Sequence, residues 1–369
     1  MGEPLSLIFA GDLVLDVEDG DHWLSGIAPA LRGADLAIGH LEVPHTTRGA
    51  EMAVDVPAPG ADPANLAAIA RAGFGAVSLA GNHIADCGAE GIADTRAGLR
   101  AVAVAFAGAG ANQAEAEAPA LVHVGGRVVA LLSFNCVGPE AGWAGEASAG
   151  SAALAMLTAD GSAVAPTKAM TAPTAGALAR LEAAIVAARK EADIVVVSLH
   201  KGIVHTPATL APYERPISHA AIDAGADIVL GHHAHIVKGI ETYRGKPIFH
   251  GLGNGCVVTR ALSPDQDHPA RREWAARRKV LFGFEPDPAY SLAPFHPEAV
   301  NAFLGRVLVH DDGQIEAGLV PVHIEAPGRP VVVNGSRGRE IADYVERITM
   351  AGGLPAIRLE SRDDMMVLQ

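Results

Sequence analysis

The sequence predicts an α/β fold with a layered, sheet-centred core, and two features of its hydrophobic pattern carry this prediction. Short apolar runs of about four to seven residues end at glycines or polar residues, as buried strands do. Alanine-rich amphipathic stretches lie between these runs and predict helices that pack on a sheet. The chain has 369 residues, of which 49% are hydrophobic, and this is enough for a large core.

The predicted elements follow one another along the chain in alternation. The strands are LSLIFAGD, ADLAIGHLE, FGAVSLAGNH, RVVALLSFN, DIVVVSLHKG and DIVLGHHAH. The helices are DPANLAAIARAG, with a cap at Asp62 and an end at Gly73, then GIADTRAGLRAV, AGALARLEAAIVAARKEA and YERPISHAAIDAGA. Near the C-terminus, NAFLGRVLVHDDGQIEAGLVPVHIE predicts a β-hairpin with DDG in the turn, and SRGREIADYVERITMAGG predicts a final helix.

We expect one domain over residues 1–369, with its core at 5–255 and a C-terminal hairpin and helix at 299–369. Residues 137–175 are rich in small residues and proline and lack periodicity, which predicts an insertion or mobile loop. Residues 260–298 form a proline-rich excursion that follows GLGN directly. We therefore expect 260–298 to be a lid over the functional site, with substrate contacts from Trp274, Phe282, Phe284 or Tyr290.

Charge and cysteine content exclude several classes of function. The formal net charge of -14 disfavours binding to nucleic acid or an anionic membrane, and the basic stretch RREWAARRK is interpreted as a solvated helix. Three widely spaced cysteines without a CxxC motif argue against a disulfide framework and a thiolate zinc site. The N-terminal apolar run is short and has acidic residues where a signal peptide has basic ones, so we expect a cytoplasmic protein without a membrane anchor.

Polar side chains recur at the carboxyl ends of the predicted strands, where ligands gather in open α/β sheets. They are Asp12, His40, Glu42, Asn82, His83, Asp86, His200, His233 and His235. One histidine at a strand end is usually structural, but several separate segments that each deliver a donor favour a metal site. Carboxylate, imidazole and carboxamide donors suit manganese, zinc or iron. Their number exceeds the need of one tetrahedral ion, so the sequence predicts two divalent ions that share a carboxylate.

The motif GHHAH ends the last of these strands. If the segment is extended, residues two apart share a face, so His233 and His235 are expected to point together. His232 is then expected to point away from them or along the rim of the pocket.

Five stretches of this sequence resemble the CapA (poly-γ-glutamate synthesis, PgsA-like) family of the calcineurin-like metallophosphoesterase superfamily. They are GDLVLD, HLE, AGNHIADCGAEGIADT, SLHKG and DAGADIVLGHHAHIVKGIETYRGKPIFHGLGN. The resemblance covers 5–255 discontinuously and implies a four-layer α/β/β/α sandwich with insertions. It implies that the metal ligands are Asp12, Glu42, Asn82, His200, His233 and His235, with Glu42 as the bridge. It also implies that His83 is a general acid, which Asp86 could orient.

The sequence departs from the family pattern around the expected pocket. His40 stands where the family usually has asparagine, Lys201 stands where it has tryptophan, and His250 stands where it has an aromatic residue. These changes preserve the predicted metal ligands but alter their surroundings. The residues assigned to substrate binding are His40, Lys201, His205, Arg215, His232 and His250.

Three functions are compatible with this site. The first is a metal-dependent hydrolase that cleaves an amide of a γ-glutamyl-like substrate or a phosphoester, with a small molecule or peptide as its substrate. The second is an epimerase or lyase in which His40, His205 or Lys201 removes a proton next to a carbonyl. The third is a non-enzymatic binding module.

Overall fold

The computed structural model describes residues 3–52, 58–263 and 266–369 and has the predicted mixed α/β fold. In chain order the strands are β1 (Leu5–Asp16), β2 (Leu36–Leu41), β3 (Phe74–Ser78), β4 (Ala105–Ala107), β5 (Ala109–Gly110), β6 (Ala120–Val124), β7 (Arg127–Asn135), β8 (Gly150–Ser151), β9 (Met156–Thr158), β10 (Met170–Pro173), β11 (Ile194–His200), β12 (Ile228–His232), β13 (Ile240–Tyr243), β14 (Lys246–Phe249), β15 (Asn254–Thr259), β16 (Asn301–Val309), β17 (Ile315–Glu325), β18 (Arg329–Val332), β19 (Leu359–Arg362) and β20 (Met365–Leu368).

The helices include every helix that the sequence predicts. They are α1 (Gly20–Leu24), α2 (Ala28–Arg32), α3 (Asn65–Ala72), α4 (Gly88–Ala101), α5 (Gln113–Glu117), α6 (Ala175–Ala188), α7 (Glu214–Asp223), α8 (Pro269–Phe282) and α9 (Gly335–Ala351), with short 3-10 turns at Glu140–Gly142 and Pro297–Val300. Within the described ranges, none of these helices has the length and apolar character that a membrane crossing requires.

Two large sheets form the centre of the fold. The first runs β19-β20-β17-β16-β1-β2-β3-β4, with β15 also beside β1 and β18 beside β17. The second runs β13-β14-β12-β11-β7-β6. Strands β1, β2 and β3 are parallel to one another, as are β7, β11 and β12, so each sheet gathers several carboxyl ends at one edge.

Hydrophobic side chains divide the molecule into four layers, which confirms the α/β/β/α sandwich. Side chains alternate across a strand, so Leu7 and Phe9 of β1 face the second sheet, where they join the core that contains Phe249 and Phe303. Ile8 faces the opposite way, into a core shared with helices α1 to α4. A third core packs α6 and α7 on the outer face of the second sheet.

The strands within the C-terminal residues 299–369 belong to the first of the two large sheets. Strands β16 and β17 form the predicted hairpin, and β16 pairs antiparallel with β1 from Leu5↔Val309 to Phe9↔Gly305. An unpaired edge of β1 would expose backbone donors and acceptors, and the hairpin removes that edge. The core therefore extends beyond the predicted range of 5–255.

Residues 137–175 form a packed insertion, which is one of the two alternatives that the sequence left open. Strands β8, β9 and β10 lie in this segment, and Val137, Leu154 and Met170 are buried in the outer core of the second sheet. The small residues that suggested a loose loop allow close backbone approach. A side chain at Gly150, for example, would meet the backbone of Trp143 and Ala144.

The basic stretch of 260–298 forms α8, but part of it is not solvated as expected. Arg278 is buried, stacks on Trp274 at 4.7 Å, and donates hydrogen bonds to the carbonyl oxygens of Pro294 and Leu262. Arg271 is buried as well and pairs with Glu51 at 2.5 Å. These arginines therefore hold the excursion together instead of presenting one continuous basic face.

A close backbone approach positions the end of β1. A Cβ atom at Gly11 would lie 1.9 Å from the carbonyl oxygen of Gly253, and the next amide, of Asp12, donates to that oxygen at 2.9 Å. Only a residue without a side chain fits at this contact.

We expect Gly11→Ala to lower the free energy of unfolding by about 1–3 kcal/mol or more, because the methyl group forces two backbone segments apart. Urea denaturation at neutral pH measures this change. Gly176→Ala in α6 is the matched control, since no atom lies within 4 Å of its Cβ position. It should leave stability unchanged or raise it slightly. Equal stability of the two variants would contradict the proposed contact.

Candidate metal centre

The carboxyl ends of strands from both sheets meet at one buried cluster, which we call the metal centre. Its members are Asp12, His40, Glu42, Asn82, His200, His232, His233 and His235. The first sheet supplies Asp12 from β1, His40 from β2, and Glu42 from the residue that follows β2. The second sheet supplies His200 and His232, which end β11 and β12. All members except His235 are buried.

One group of donors surrounds the outer carboxylate oxygen of Asp12. Nδ1 of His235 lies 3.5 Å from Oδ2 of Asp12, and Nε2 of the same ring lies 3.4 Å from Oε1 of Glu42. The ligand atoms of Asp12, Glu42 and His235 all lie within 4.8 Å of one another. This spacing is suited to one ion held by two carboxylates and an imidazole.

A second group lies on the side of the second sheet. Nε2 of His200 is 2.7 Å from Oδ1 of Asn82 and 3.1 Å from Nδ1 of His233. Ligand atoms of Asp12, His40 and His200 also lie within 4.8 Å of one another. Asp12 therefore belongs to both groups, whereas the resemblance assigned the shared position to Glu42.

The backbone of the GHHAH motif differs from the extended segment that the sequence analysis assumed. Strand β12 ends at His232, and His233 and His235 have φ angles of 83° and 51°, in the left-handed region that non-glycine residues rarely adopt. In this turn the amide of His233 donates to the carboxylate of Asp12, at 3.3 and 3.4 Å from its two oxygens. The rings of His233 and His235 both reach the metal centre because the backbone turns after β12, and not because side chains alternate along an extended segment.

His232 points into the centre, which corrects the expectation that it faces away. Its Nδ1 lies 3.4 Å from Oδ1 of Asp12, and its ring stacks on His40 at 4.7 Å. Both rings are fully buried. Neither ring presents an edge to solvent, and the assignment of His40 and His232 to substrate binding stays a prediction.

Electrostatics show that the buried carboxylates need a positive partner. Burial and the neighbouring Glu42 raise the pKa of Asp12 to about 7. Burial would also raise the pKa of Glu42, but His235 more than offsets this and holds that pKa below its usual range. Glu42 in turn overcomes the effect of burial on His235 and raises the pKa of this imidazole to about 9. A divalent cation between these groups would balance the same charge.

Several buried polar atoms of the centre have no hydrogen-bond partner among the described residues. They are both carboxylate oxygens of Glu42, Nε2 of His40, Nδ1 of His200 and both ring nitrogens of His232. Buried polar groups in proteins are nearly always bonded, so this concentration points to a ligand. Oxygen and nitrogen donors of this kind fit divalent manganese, zinc or iron.

His83 and Asp86 form a pair at the more accessible side of the centre. Nδ1 of His83 donates to Oδ2 of Asp86 at 2.7 Å, and the side chain of His83 is 23% exposed while that of Asp86 is 5% exposed. Asp86 also accepts a hydrogen bond from the amide of Ala58 at 2.5 Å. Asp86 is thus placed to orient His83, as the sequence analysis expected, and the catalytic role of the pair stays a prediction.

The 260–298 excursion lies against one wall of the centre. Phe282 and Phe284 contact His205 with ring centroids 4.8 and 5.5 Å apart. Phe295, which the sequence analysis did not single out, stacks on His235 at 4.9 Å. His205 is itself 5.8 Å from the ring of His235. This placement is compatible with a lid, and closure over a substrate stays a prediction.

The other two predicted lid aromatics contact the protein rather than the centre. Trp274 packs on Phe282 at 5.7 Å, one layer behind His205. The hydroxyl of Tyr290 donates to the carbonyl oxygen of Ile324 at 3.1 Å, and its ring packs on the core between the first sheet and its helices. Of the four aromatic residues predicted for the lid, Phe282 and Phe284 therefore lie nearest the metal centre, through their contacts with His205.

Asn254 is a second residue that the sequence analysis missed. Its Oδ1 lies 3.0 Å from Nδ1 of His235 and accepts that N–H, which leaves Nε2 of His235 directed at Glu42. Such a partner fixes the orientation of a metal-binding imidazole. The motif GLGN, which ends at Asn254, was the available signal.

Lys201, Arg215 and His250 belong to a separate ion-pair network, and their assignment to substrate binding stays a prediction. Nζ of Lys201 is fully buried and pairs with Glu214 at 3.0 Å. His250 is 2.9 Å from Glu241, and Arg215 donates to the same carboxylate at 2.6 Å. The network ties β11, α7 and β13 together, so these charges serve the packing of the second sheet.

Comparison with protein families finds one match over most of the chain. Residues 6–257 match the model of the bacterial capsule synthesis protein family PGA_cap. The chain is 32% identical over 180 residues to a probable polyglutamine synthesis accessory protein of Mycobacterium tuberculosis, covering 48% of this chain and 43% of that protein. It is 27% identical over 266 residues to the capsule biosynthesis protein CapA of Bacillus anthracis, covering 68% of this chain and 59% of that protein.

The chain thus spans about half the length of the curated relatives it matches. Among solved structures, it is similar to the calcineurin-like phosphoesterase YfkN of Bacillus subtilis. This similarity has a TM-score of 0.39 and 9% sequence identity, and it covers 95% of this chain and 98% of that one.

We expect Lys201→Met to lower the free energy of unfolding by about 3–5 kcal/mol, because it leaves the buried Glu214 carboxylate without its partner. Metal content, measured on the folded fraction, should not change. Lys168→Met is the matched control, since Lys168 pairs with Asp160 on the surface and such pairs contribute little. A Lys201→Met protein that keeps its stability but loses substrate affinity would support the substrate-binding assignment and contradict a purely structural role.

Proposed function

The chain belongs to the PGA_cap family of bacterial capsule synthesis proteins, and we propose that it is a hydrolase that depends on two divalent metal ions. The observation that carries this proposal is the pair of donor groups that share Asp12 inside one buried cluster. Two ions that share a carboxylate are a common arrangement in hydrolytic sites. The proposed ligands are Asp12, Glu42, Asn82, His200, His233 and His235, and the proposed metals are manganese, zinc or iron.

The proposed substrate is an amide of a γ-glutamyl-like compound, with a phosphoester as the second class. The amide comes first because the relatives are named for polyglutamine synthesis and capsule biosynthesis. When bound, the ions would activate water and polarise the oxygen of the scissile group. The rest of the proposal concerns what the side chains of this protein do around them.

His83 is proposed to protonate the leaving group. Asp86 accepts the Nδ1 proton of His83 at 2.7 Å and so fixes the ring, and His83 is the more exposed member of the pair. A positioned imidazole can donate a proton to a departing amine or alkoxide. The histidines and carboxylates of the centre next to it are mostly buried, and a low local dielectric strengthens each electrostatic contact.

The epimerase or lyase alternative loses two of its three proposed bases. Lys201 is fully buried in its ion pair with Glu214, and His40 is fully buried beside His200 and His232. His205 remains, but its ring is enclosed by aromatic side chains. Hydrolysis requires none of these residues to remove a proton from carbon.

A cytoplasmic location is part of the proposal, supported by three free cysteines.

The experiment is to purify the protein with manganese, zinc or iron and to count bound metal by mass spectrometry. Hydrolysis of γ-glutamyl dipeptides, γ-glutamyl-p-nitroanilide and bis-p-nitrophenyl phosphate is then measured. We expect about two ions per chain, activity that a chelator abolishes, and recovery when metal is restored. A protein that binds no metal and cleaves none of these substrates would favour the binding-module hypothesis.

We expect His83→Asn to lower kcat on a γ-glutamyl dipeptide by about 10²- to 10⁴-fold, while metal content stays the same. The loss should be much smaller with bis-p-nitrophenyl phosphate, because its nitrophenolate leaving group departs without protonation. His123→Asn, on the exposed face of β6, is the control and should leave kcat unchanged. An equal loss on all substrates would exclude proton donation by His83.

A further inference from the structure

Two histidines lie inside the metal centre but outside the ligand set that the family resemblance implies. His40 occupies a position where the family usually has asparagine, and His232 occupies a variable position where serine is common. Their rings stack on each other at 4.7 Å, and the ring of His40 is 4.6 Å from that of His200. The two rings are therefore part of the same buried contact as the expected ligands.

Hydrogen bonding leaves one nitrogen of His40 free to bind a ligand. Nδ1 of His40 lies 2.9 Å from Oγ of Ser78, and that hydroxyl donates to the carbonyl oxygen of Gly39 at 3.4 Å. With its hydroxyl donating to Gly39, Ser78 can accept the proton of Nδ1, and we assign this tautomer to His40. Nε2 of His40 then carries a lone pair, and it is buried with no hydrogen-bond partner among the described residues. A histidine ligand usually has this pattern, with one nitrogen tethered and the other free.

The free nitrogen of His40 faces donors of the centre. The ligand atoms of His40, Asp12 and His200 lie within 4.8 Å of one another. Gly81 keeps this space open, since a Cβ atom there would lie 2.9 Å from Nε2 of His40.

The carboxylate of Asp12 is divided between the two donor groups. Its Oδ2 is 3.5 Å from His235, in the group with Glu42, whereas its Oδ1 is 3.4 Å from Nδ1 of His232. His232 stacks on His40, so Oδ1 lies on the His40 side of the centre. One carboxylate thus reaches both positions, and His232 supports it from the side.

We propose that His40 is a metal ligand, which together with Asp12 and His200 holds one of the two ions, and that Asp12 joins the two positions. The inference rests on the proposed function only in that the centre binds divalent ions. It does not depend on which reaction follows. The asparagine that is usual in the family at this position would offer an oxygen ligand or no ligand. The inference gives His40 the role of a nitrogen ligand instead.

The test replaces His40 with the residue usual in the family, His40→Asn, and measures the binding of Mn²⁺, Zn²⁺ and Co²⁺ by calorimetry and elemental analysis. We expect one of the two ions to bind at least about tenfold more weakly, with the other unchanged. The visible absorption of the Co²⁺-loaded protein should change as well, because it reports the ligands of the ion directly.

His45→Asn is the matched control. His45 is also a fully buried histidine whose Nε2 has no hydrogen-bond partner among the described residues, and its Nδ1 contacts the carbonyl oxygen of Val43 at 3.2 Å. It is not in either donor group, so its replacement should leave metal affinity and the Co²⁺ spectrum unchanged. Ser78→Ala is a second variant that keeps His40 but removes its tether, and it should weaken the same ion.

Wild-type affinity for both ions and an unchanged Co²⁺ spectrum in His40→Asn would overturn the inference while leaving the proposed function intact. If His40→Asn does not fold, unchanged metal binding by Ser78→Ala overturns it instead. A wild-type protein that binds no ion would refute the proposed function together with this inference, so the two failures are distinguishable.

Discussion

The charge of two buried carboxylates is the constraint on which the rest of the structure depends. Asp12 and Glu42 lie at the ends of adjacent strands and are almost completely removed from water. A buried ion without compensation costs on the order of several kcal/mol. The first sheet cannot supply that compensation alone, since it contributes mainly oxygens and one imidazole. The intersheet core brings the ends of β11 and β12 to the same place, and with them the imidazoles that face the carboxylates.

Three histidines around the metal centre adopt backbone conformations that lower local stability. His205, His233 and His235 all have positive φ angles, a conformation that costs about 1–3 kcal/mol for such residues. Specific contacts hold each in place. The amide of His233 donates to Asp12, the ring of His235 is held by Asn254 and Phe295, and the amide of His205 donates to the carbonyl oxygen of Ala234. Backbone strain concentrated in this way is typical of sites where position matters more than local stability.

Sequence patterns predicted the elements that follow from local chemistry. Apolar runs that end in a polar residue identified β1, β2, β3, β7, β11 and β12, and therefore the convergence of their carboxyl ends. The failures share one cause, which is dependence on partners distant in the chain. The direction of His232 depends on a turn that histidine does not signal, and Lys201 is neutralised by Glu214 from the next helix. The pairing of β16 with β1 joins segments almost 300 residues apart, which periodicity cannot show.

The proposed binding of metal by His40 affects which divalent ion the centre would prefer. Asp12, Glu42 and Asn82 offer oxygen, which manganese accepts readily, whereas His200, His233 and His235 offer imidazole nitrogen. If His40 binds as well, nitrogen donors outnumber oxygen donors, and the balance moves toward zinc or iron. His232 lies beside this donor set, with its ring stacked on His40 at 4.7 Å and its Nδ1 3.4 Å from Oδ1 of Asp12. In the proposed centre, the histidine at position 40 therefore favours softer divalent ions, where the asparagine usual in the family would offer an oxygen.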